Sequence, residues 1–435
     1  MRDTIAASVT PPFHTAGRGA SFAGLTPGIV VSLVVAAAFL SFHWGRLISH
    51  DTAWYLVATR EWLSGARLYV DIYEVNPPLN FYFTVPPVLF ADLTGMDAQN
   101  AQYLVFSLLI MASLMACWSA ISDRHSLPGG RRVMLQLGLG LAMTLPSLSD
   151  TGQREHLMVI LVMPWLVATA VGHDNVSRRR NVGFAILAAL GICLKPYFLL
   201  IPIAVTLWHI IAVRSFRPLW STSNLTMVCV GIAYVLSVWY LHPEYFRDIV
   251  PVAQSVYGSI AVAEGRIVVV LQIGCAPFVI FGLTLLARQG VPAGTGVFVS
   301  AALAGLGCYI VQWNGFQYHA IPLKAFAFTA CLWVLTNTMR VTPLLFASLI
   351  GLSSTMVLAL LKGPYRNPAL THLLSNLDPA WSPERIMVVS TRVSSGPIVA
   401  LNLNAEWTSR YPHAWLVPGA LNGLGKAECR SEPQN

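Results

Sequence analysis

Six charged side chains occur together between Ser49 and Asn80, directly after the first long apolar run of the sequence. A carboxylate can take a proton from an attacking hydroxyl, and cations beside it can hold an anionic substrate. A polar segment of this kind, emerging from a membrane span and rich in Trp and Tyr, indicates chemistry on a lipid-linked substrate. The charged residues are Asp51, Arg60, Glu61, Arg67, Asp71 and Glu74.

Later polar segments add candidates that adjoin apolar runs. Charged groups at the ends of spans are costly to bury, so those that stay near membrane depth usually face a cavity. Carboxylates and cations at headgroup depth fit an anionic polyprenyl phosphate, whose phosphate the cations would hold while a carboxylate takes a proton from a hydroxyl. With Tyr55, Asp71 and Glu74 of the first segment, the candidates are Asp150, Arg154 and Glu155 around the run GQREHL, Lys195 in LKPY, Arg266, and Tyr318 and His319 in YHAIP.

Several of these residues also have a purely structural interpretation. Asp51 precedes a helical pattern and is placed to act as its N-cap. Arg154 and Glu155 are placed to pair with each other, a contact worth little when exposed. Lys195 is placed to extend its amine to the membrane surface. Asp71 and Glu74 could instead belong to the solvated face of a loop. His319 could be an interfacial core histidine.

The composition indicates which elements must position these groups. Of the 435 residues, 55% are hydrophobic and 11% are charged, and the mean hydropathy is +0.61. These values exclude a soluble globular protein and predict an all-α polytopic membrane protein. The net charge of +8 does not indicate nucleic-acid binding, because the basic residues form short clusters between apolar runs.

The apolar runs predict about eleven transmembrane helices within residues 28–361. A segment that begins at Pro77 and Pro78 contains four prolines and predicts an interfacial helix, so residues 49–97 form a first outer loop. The run 182–213 is divided in two at Lys195-Pro196. The predicted spans are about 28–48, 98–121, 132–147, 156–172, 182–194, 197–213, 223–241, 267–287, 292–311, 319–338 and 342–361.

The Arg clusters of alternate loops place the N-terminus in the cytoplasm and the C-terminus outside. Residues 1–27 are rich in Ser, Thr, Pro and Gly and are predicted to be a disordered cytoplasmic tail. Residues 362–435 are predicted to form a small α/β segment that packs on the outer face. Within it, MVVST and GPIVALNL are predicted as strands. None of the seven cysteines has a metal-binding spacing, and no metal site is predicted.

The order of these features resembles the GT-C superfamily of integral-membrane glycosyltransferases, in the group that includes bacterial aminoarabinose transferases and protein O-mannosyltransferases. Members of this group share an acidic residue just after the first span, an aromatic, Gly and Tyr-x-Asp pattern, and a Pro-Pro-Leu segment that starts an interfacial helix. The runs GQREHL, LKPY and YHAIP are also similar to recurring segments of bacterial members. The matching residues of the first loop are Asp51, Tyr55, Gly65, Tyr69, Asp71, Pro77, Pro78 and Leu79.

The resemblance implies a glycosyltransferase of the bacterial inner membrane that uses a polyprenyl-phosphate-linked sugar and inverts the anomeric carbon. It implies that Asp51 is the general base and that Lys195 is a phosphate ligand, with the acceptor being a glycan, a lipid or a protein. No cofactor is implied, and metal dependence is left open. Many relatives have a basic residue before Pro-Pro-Leu where this chain has Asn76, so Lys195, Arg154 or Arg266 would make the phosphate contact instead.

A transporter or flippase of a lipid-linked or small anionic substrate is the main alternative, because intramembrane charges and Pro-broken spans also mark transport paths. The two halves of the chain show no internal repeat, and the charges gather on one face instead of at the midplane. A polyprenyl-linked polymerase or ligase is a second alternative. Such proteins place their large functional loop late in the chain, whereas the most charged loop here comes first.

Overall fold

The computed structural model describes residues 22–122, 127–172, 176–257, 276–287, 292, 294–312, 315–378, 380–381, 383–390, 394–414, 417 and 421. These residues are predominantly helical. Their first half contains α1 (Phe22–His43), α2 (His50–Leu63), α3 (Leu79–Thr94), α4 (Ala98–Ser122), α5 (Gly129–Thr144), α6 (Arg154–Val171), α7 (Arg178–Ile192), α8 (Leu200–Val213) and α9 (Thr222–Leu241).

The second half continues the helical bundle and ends in a small mixed segment. Its helices are α10 (Val250–Tyr257), α11 (Ala276–Ala287), α12 (Thr295–Gln312), α13 (Ile321–Thr338), α14 (Pro343–Lys362), α15 (Pro368–Ser375) and α16 (Gly396–Asn402). Short 3-10 turns at Leu145–Ser147, Pro196–Leu199, Arg217–Trp220 and Gln317–Ala320, and a π turn at Tyr245–Ile249, join or extend these helices.

Each of the eleven predicted spans overlaps a helix in its described part, and residues 267–275 of the eighth span lie outside the described residues. The helical structure confirms the all-α polytopic fold class. Among the described residues, eight helical stretches are long and apolar enough to cross a membrane. The other three predicted spans correspond to the shorter helices α5, α7 and α11. The eight stretches are Thr26–His43, Ala98–Ser122, Arg154–Val171, Pro196–Val213, Thr222–Leu241, Thr295–Gln312, Gln317–Thr338 and Pro343–Lys362.

Helix α6 forms the centre of the bundle. After its first three residues it is apolar on every side, so no face of the helix prefers solvent. It packs against α4, α7, α12 and α13, and every residue of the helix is buried. Gly305 permits a close contact between α12 and α13, because a Cβ at this position would lie only 2.7 Å from the backbone nitrogen of Leu323. Because the whole helix is surrounded by other helices, its polar first turn, with Arg154, Glu155 and His156, is also buried inside the bundle.

The predicted break between two spans at Lys195-Pro196 is present. Helix α7 ends at Ile192, and Lys195 has the extended backbone (φ −150°, ψ 140°) that a residue before proline favours. The chain then makes one 3-10 turn and continues as α8. The break places Lys195 between two helices, where its side chain can point into the bundle.

Residues 49–97 and the C-terminal segment pack on each other outside the spans. Helix α2 contacts both α3 and α16, and the backbone nitrogen of Tyr73 donates to the carbonyl oxygen of Arg410 at 2.7 Å. Arg60 of α2 also reaches Asp92 of α3 at 2.8 Å. Of the predicted N-terminal tail, residues 1–21 lie outside the described residues, and α1 begins at Phe22.

The two strands predicted at the C-terminal end are wrong. GPIVALN is the helix α16, whose apolar residues Ile398, Val399 and Ala400 are all buried. A continuous apolar run of this length suits a buried strand or a buried helix equally, and Pro397 in the first turn favours the helix. MVVST does not form a strand in its described part; instead β1 (Arg385–Ile386) precedes it and pairs in parallel with β2 (Glu406–Trp407).

Candidate active site

A cavity of about 1200 Å³ extends along α8 and α9 and ends at a cluster of polar side chains. Its walls are apolar, and many wall residues are half-exposed at the same time, for example Ile203 at 50% and Val228 at 57%. The groove therefore opens sideways, toward the surface that would face lipid. The polar end of the groove is lined by Asn76, Arg154, Lys195, Gln312, Tyr318 and His319.

Lys195 is the central cation of this polar end. Its Nζ donates to Glu155 Oε1 at 2.6 Å and to Gln312 Oε1 at 3.1 Å, and it lies 3.4 Å from His319 Nε2. Both members of the ion pair are buried, with side-chain exposures of 6% for Lys195 and 0% for Glu155. Burial lowers the pKa of Lys195 to about 8, although the Glu155 carboxylate favours the charged amine. Lys195 does not extend to the surface, so that structural interpretation is wrong.

Arg154 is the second buried cation of the cavity. It is the first residue of α6, and its Nη1 donates to the hydroxyl oxygen of Tyr55 at 3.2 Å. Its Nε has no acceptor among the described residues, although it is buried. The expected alternative, a pair between Arg154 and Glu155, is not formed, because consecutive helical residues point in different directions and Glu155 turns to Lys195 and His319. A donor without an acceptor, beside a cation that lines the same cavity, is suited to an anionic ligand.

Asp51 is hydrogen-bonded to the residue that precedes Arg154 in the chain. Gln153 donates from Nε2 to Asp51 Oδ2 at 2.9 Å, and Gln153 directly precedes Arg154. Asp51 is in the first turn of α2 with Ser49 at the N-cap, so the capping interpretation is wrong. Burial alone would raise the pKa of Asp51, but His50, Arg154 and the Gln153 hydrogen bond outweigh it and lower that pKa. Its side chain is still 23% exposed, so an ionised carboxylate is accessible.

The turn between Tyr69 and Asn76 carries the first loop to the mouth of the cavity. Tyr69 has a positive φ of 70°, and its hydroxyl donates to the carbonyl oxygen of Asn76 at 2.9 Å. Glu74 is buried and accepts hydrogen bonds from Trp54 Nε1 at 3.0 Å and from the backbone nitrogen of Asn76 at 2.9 Å. The side-chain amide of Asn76 also donates to Glu74. These bonds fix Asn76 at the position where a basic residue was expected from the resemblance.

Two carboxylates of the predicted site lie apart from the cavity. Asp71 accepts from the backbone nitrogen of Arg67 at 2.9 Å and is 49% exposed, and it does not line the cavity. Asp150 accepts from Ser149 Oγ at 2.7 Å, and burial raises its pKa, against the hydrogen bond from Ser149 and the nearby charge of Lys362. Asp150 is close enough to Asp51 for the two charges to repel.

The remaining predicted residues belong to the polar end or lie outside the described chain. Tyr318 stacks edge-on against His319 with ring centroids 4.3 Å apart, and its ring centroid is 5.7 Å from Lys195 Nζ. His319 is buried, and its Nδ1 has no partner among the described residues. Arg266 lies outside the described residues.

Sequence reasoning missed two polar residues that support the site. Gln153 belongs to the run GQREHL, in which the sequence predicts only the charged residues and not Gln153 as site candidates. Its signal was its position at the N-cap of a helix whose first turn is charged. Gln312 is the last residue of α12. A single amide at the end of an apolar span is the feature of the sequence that could have identified it as a site residue.

The fold and the cavity together define a polytopic helical protein with a lipid-facing groove that ends in buried cations. Its fold is similar to that of a solved structure described as ArnT from Cupriavidus metallidurans bound to undecaprenyl phosphate, with a TM-score of 0.51. The match has 14% sequence identity and covers 92% of this chain and 88% of that chain. The match shows that the two chains share a fold, in agreement with the predicted polytopic helical architecture. No protein-family model matches the chain, and no curated protein matches it.

Proposed function

We propose that this protein is an inner-membrane glycosyltransferase that moves a sugar from a polyprenyl-phosphate donor to a glycan, lipid or protein acceptor at the outer face. The observation that carries the proposal is the cavity, which joins an apolar groove to two buried cations, Lys195 and Arg154. A polyprenyl phosphate has the same division into a long apolar tail and an anionic head. The solved structure of similar fold contains undecaprenyl phosphate, which supports this class of donor.

The cations at the polar end would hold the donor phosphate. The two cations lie at the same end of the groove, and Arg154 Nε is a buried donor with no acceptor in the described chain. A phosphate oxygen would supply that acceptor and would be held by charge-assisted bonds, which are stronger than neutral ones. Asn76 contributes an amide at this end instead of a charge. The resulting site neutralises a phosphate through Lys195 and Arg154 in place of a first-loop cation.

The reaction would proceed by direct displacement with inversion. An acceptor hydroxyl oxygen forms a bond to the anomeric carbon, and the bond between that carbon and the phosphate oxygen breaks, with its electron pair leaving on the phosphate. Asp51 takes the hydroxyl proton as general base, which requires an ionised carboxylate, and the lowered pKa of Asp51 provides one. Lys195 and Arg154 stabilise the negative charge that develops on the leaving phosphate.

Binding of undecaprenyl phosphate to the purified protein tests the donor assignment. We expect Lys195→Ala to weaken this binding by tenfold or more, because a charge-assisted bond to phosphate is worth about 1.5–3 kcal/mol. Lys362→Ala is the matched control, since Lys362 does not line the groove and its amine lies 3.4 Å from Ser149 Oγ.

A second variant protects the test against misfolding. Lys195→Ala leaves Glu155 buried without its partner, so Lys195→Ala/Glu155→Ala is measured as well. Equal affinity for undecaprenyl phosphate in the wild type and in the folded Lys195 variants would remove Lys195 from the phosphate site. Movement of the intact lipid between leaflets of a vesicle, without transfer of its sugar to any acceptor, would favour the flippase alternative.

A further inference from the structure

A second cavity, of about 190 Å³, lies at the opposite end of the groove from Lys195. Helix α6 starts at the cation cluster and reaches this cavity with its later residues Trp165 and Thr169. Helices α8 and α9 complete the cavity close to the turn that joins them. Its polar lining residues include Trp165, Thr169, His209, Ser221, Ser223 and Asn224.

Two hydrogen-bond donors in this cavity are buried without partners. Trp165 is 3% exposed and Thr169 is 6% exposed, and neither Trp165 Nε1 nor Thr169 Oγ1 has a hydrogen-bond partner in the described chain. A buried polar group without a partner costs about 1–3 kcal/mol. The indole nitrogen can only donate, so its missing partner must be an acceptor. A molecule that satisfies both groups therefore needs hydrogen-bond acceptors.

The small cavity is separated from the main groove by one side-chain pair. Thr206 and Asn224 line both cavities, and Asn224 Nδ2 donates to Thr206 Oγ1 at 3.1 Å. Asn224 is also fixed by a bond to the carbonyl oxygen of Pro218 at 2.8 Å. A ligand bound among the polar residues is thus next to an apolar groove of about 1200 Å³, where a hydrocarbon chain could extend.

The mouth of the small cavity has the residues of a lipid headgroup boundary. Val213 and Pro218 line the cavity, and the adjoining Arg214 and Arg217 are exposed. Phe216 and Trp220 of the same turn are exposed at 72% and 73%. Exposed aromatic rings beside arginines are typical of the depth at which phospholipid headgroups lie.

We propose that this cavity binds the glycerol ester region of an anionic phospholipid. Its ester oxygens accept from Trp165 and Thr169, its phosphate meets Arg214 and Arg217, and one acyl chain enters the groove past Thr206. The site is separate from the cation cluster and does not depend on the proposed function. A phospholipid held here covers the end of the groove at Thr206. A polyprenyl tail whose phosphate is at Lys195 would reach that same end from inside the groove.

Phosphatidylglycerol binding by the full chain, measured by native mass spectrometry from detergent, tests the proposal. We expect Trp165→Phe and Thr169→Val each to weaken binding about fivefold, the effect of one ordinary buried hydrogen bond. Arg217→Gln should reduce the preference for phosphatidylglycerol over phosphatidylcholine. Trp333→Phe is the control, because Trp333 is a fully buried indole on α13 that lines neither cavity.

Several outcomes would overturn the proposal. Equal affinity for phosphatidylglycerol in the Trp165, Thr169 and Trp333 variants would mean that water alone fills the cavity. Equal binding of phosphatidylcholine and phosphatidylglycerol by the wild type would remove the arginines from the site. Undecaprenyl phosphate binding is measured on the same samples. If the wild type binds phosphatidylglycerol but does not bind undecaprenyl phosphate, the proposed function is contradicted and this proposal stands.

Discussion

The ion pair at the end of the groove and the ion pairs outside the bundle have similar lengths but very different surroundings. Lys195 and Glu155 are 2.6 Å apart and almost fully buried, whereas Arg247 and Asp248 are 2.7 Å apart and are 68% and 48% exposed. Solvent screens the exposed pair, so it contributes little to stability. The buried pair has lost its water, and each member depends on the other. Distance alone therefore does not identify which charges the protein depends on.

The same contrast divides the first loop. Asp51 is joined through Gln153 to the residue that begins α6, while Asp71 pairs with Arg67 in its own turn and is half-exposed. Both residues match the pattern of the GT-C resemblance, and both are aspartates close to a membrane span. Only Asp51 is connected to the cation cluster, so the two residues should respond differently to the same substitution.

The largest expected effect is on transfer by Asp51→Asn. An asparagine keeps the shape and can still bond to Gln153, but it cannot accept the hydroxyl proton. We expect the rate of glycosyl transfer to fall by 10²-fold or more, the usual contribution of a general base. Asp71→Asn is the matched control and should retain the wild-type rate. The measurement is sugar transfer by the purified protein once its donor is known, and wild-type activity in Asp51→Asn would contradict the general-base role.

The second effect is on folding. Glu155→Ala leaves the buried Lys195 amine without its carboxylate partner, and breaking a buried ion pair in this way typically costs about 3–5 kcal/mol. We expect a clearly lower thermal unfolding midpoint in detergent, and partial recovery in the Glu155→Ala/Lys195→Ala double variant. Arg385→Ala, which breaks an exposed pair with Glu406, should leave the midpoint unchanged. Equal shifts of the unfolding midpoint in Glu155→Ala and Arg385→Ala would show that burial of an ion pair does not increase its contribution to stability.

The third effect is a pH dependence of donor binding. The pKa of Lys195 is lowered to about 8, so the free protein loses this positive charge as the pH rises through that value. Affinity for undecaprenyl phosphate should therefore decrease between about pH 7 and pH 9. Lys195→Arg keeps its charge over this range and should bind with an affinity that changes little with pH. A wild-type affinity that is constant from pH 7 to 9 would contradict the assignment.

The smallest effect concerns Glu61, which is partly buried between α2 and the C-terminal segment. Burial, with a contribution from Glu406, raises the pKa of Glu61 to about 7. Because the folded-state pKa is above the ordinary value of 4.5, this group favours folding at low pH, and its contribution is lost as the pH rises through about 7. Glu61→Gln should abolish this part of the pH dependence of the unfolding midpoint. The exposed Glu384→Gln should not change it.

Much of the fold could be predicted from the sequence, because a transmembrane helix requires a long run of apolar residues that is visible in the sequence. The runs predicted helices that the structure contains, eight of which are long and apolar enough to span a membrane among the described residues, and Lys195-Pro196 marked a helix break that is also present. The C-terminal strands could not be predicted in the same way. The run GPIVALN is too short to distinguish a buried strand from a buried helix, and its packing against α2 decides the outcome.

The candidate site was predicted residue by residue but not as an arrangement. Lys195, Arg154, Glu155, Tyr318 and His319 meet at one end of the groove, although nothing local in the sequence shows which of them pair. Neighbouring charges suggested a contact between Arg154 and Glu155, but the helical turn separates them and the extended backbone before Pro196 brings Lys195 to Glu155. Asp71 has the same residue type and setting in sequence as Asp51, and only its local turn shows that it faces solvent.

The sequence by itself determined the class of protein, the positions of its spans and the residue types available for chemistry, because hydropathy and helix breaks are local properties of the chain. The tertiary structure decided which charges are buried, which carboxylate is joined to the cation cluster through Gln153, and that an apolar groove extends from this cluster to a wall that it shares with a second polar cavity. These features arise from contacts between residues far apart in the chain, such as Glu155 with Lys195 and His319. Burial and pairing of that kind depend on how whole helices pack, which no local pattern specifies.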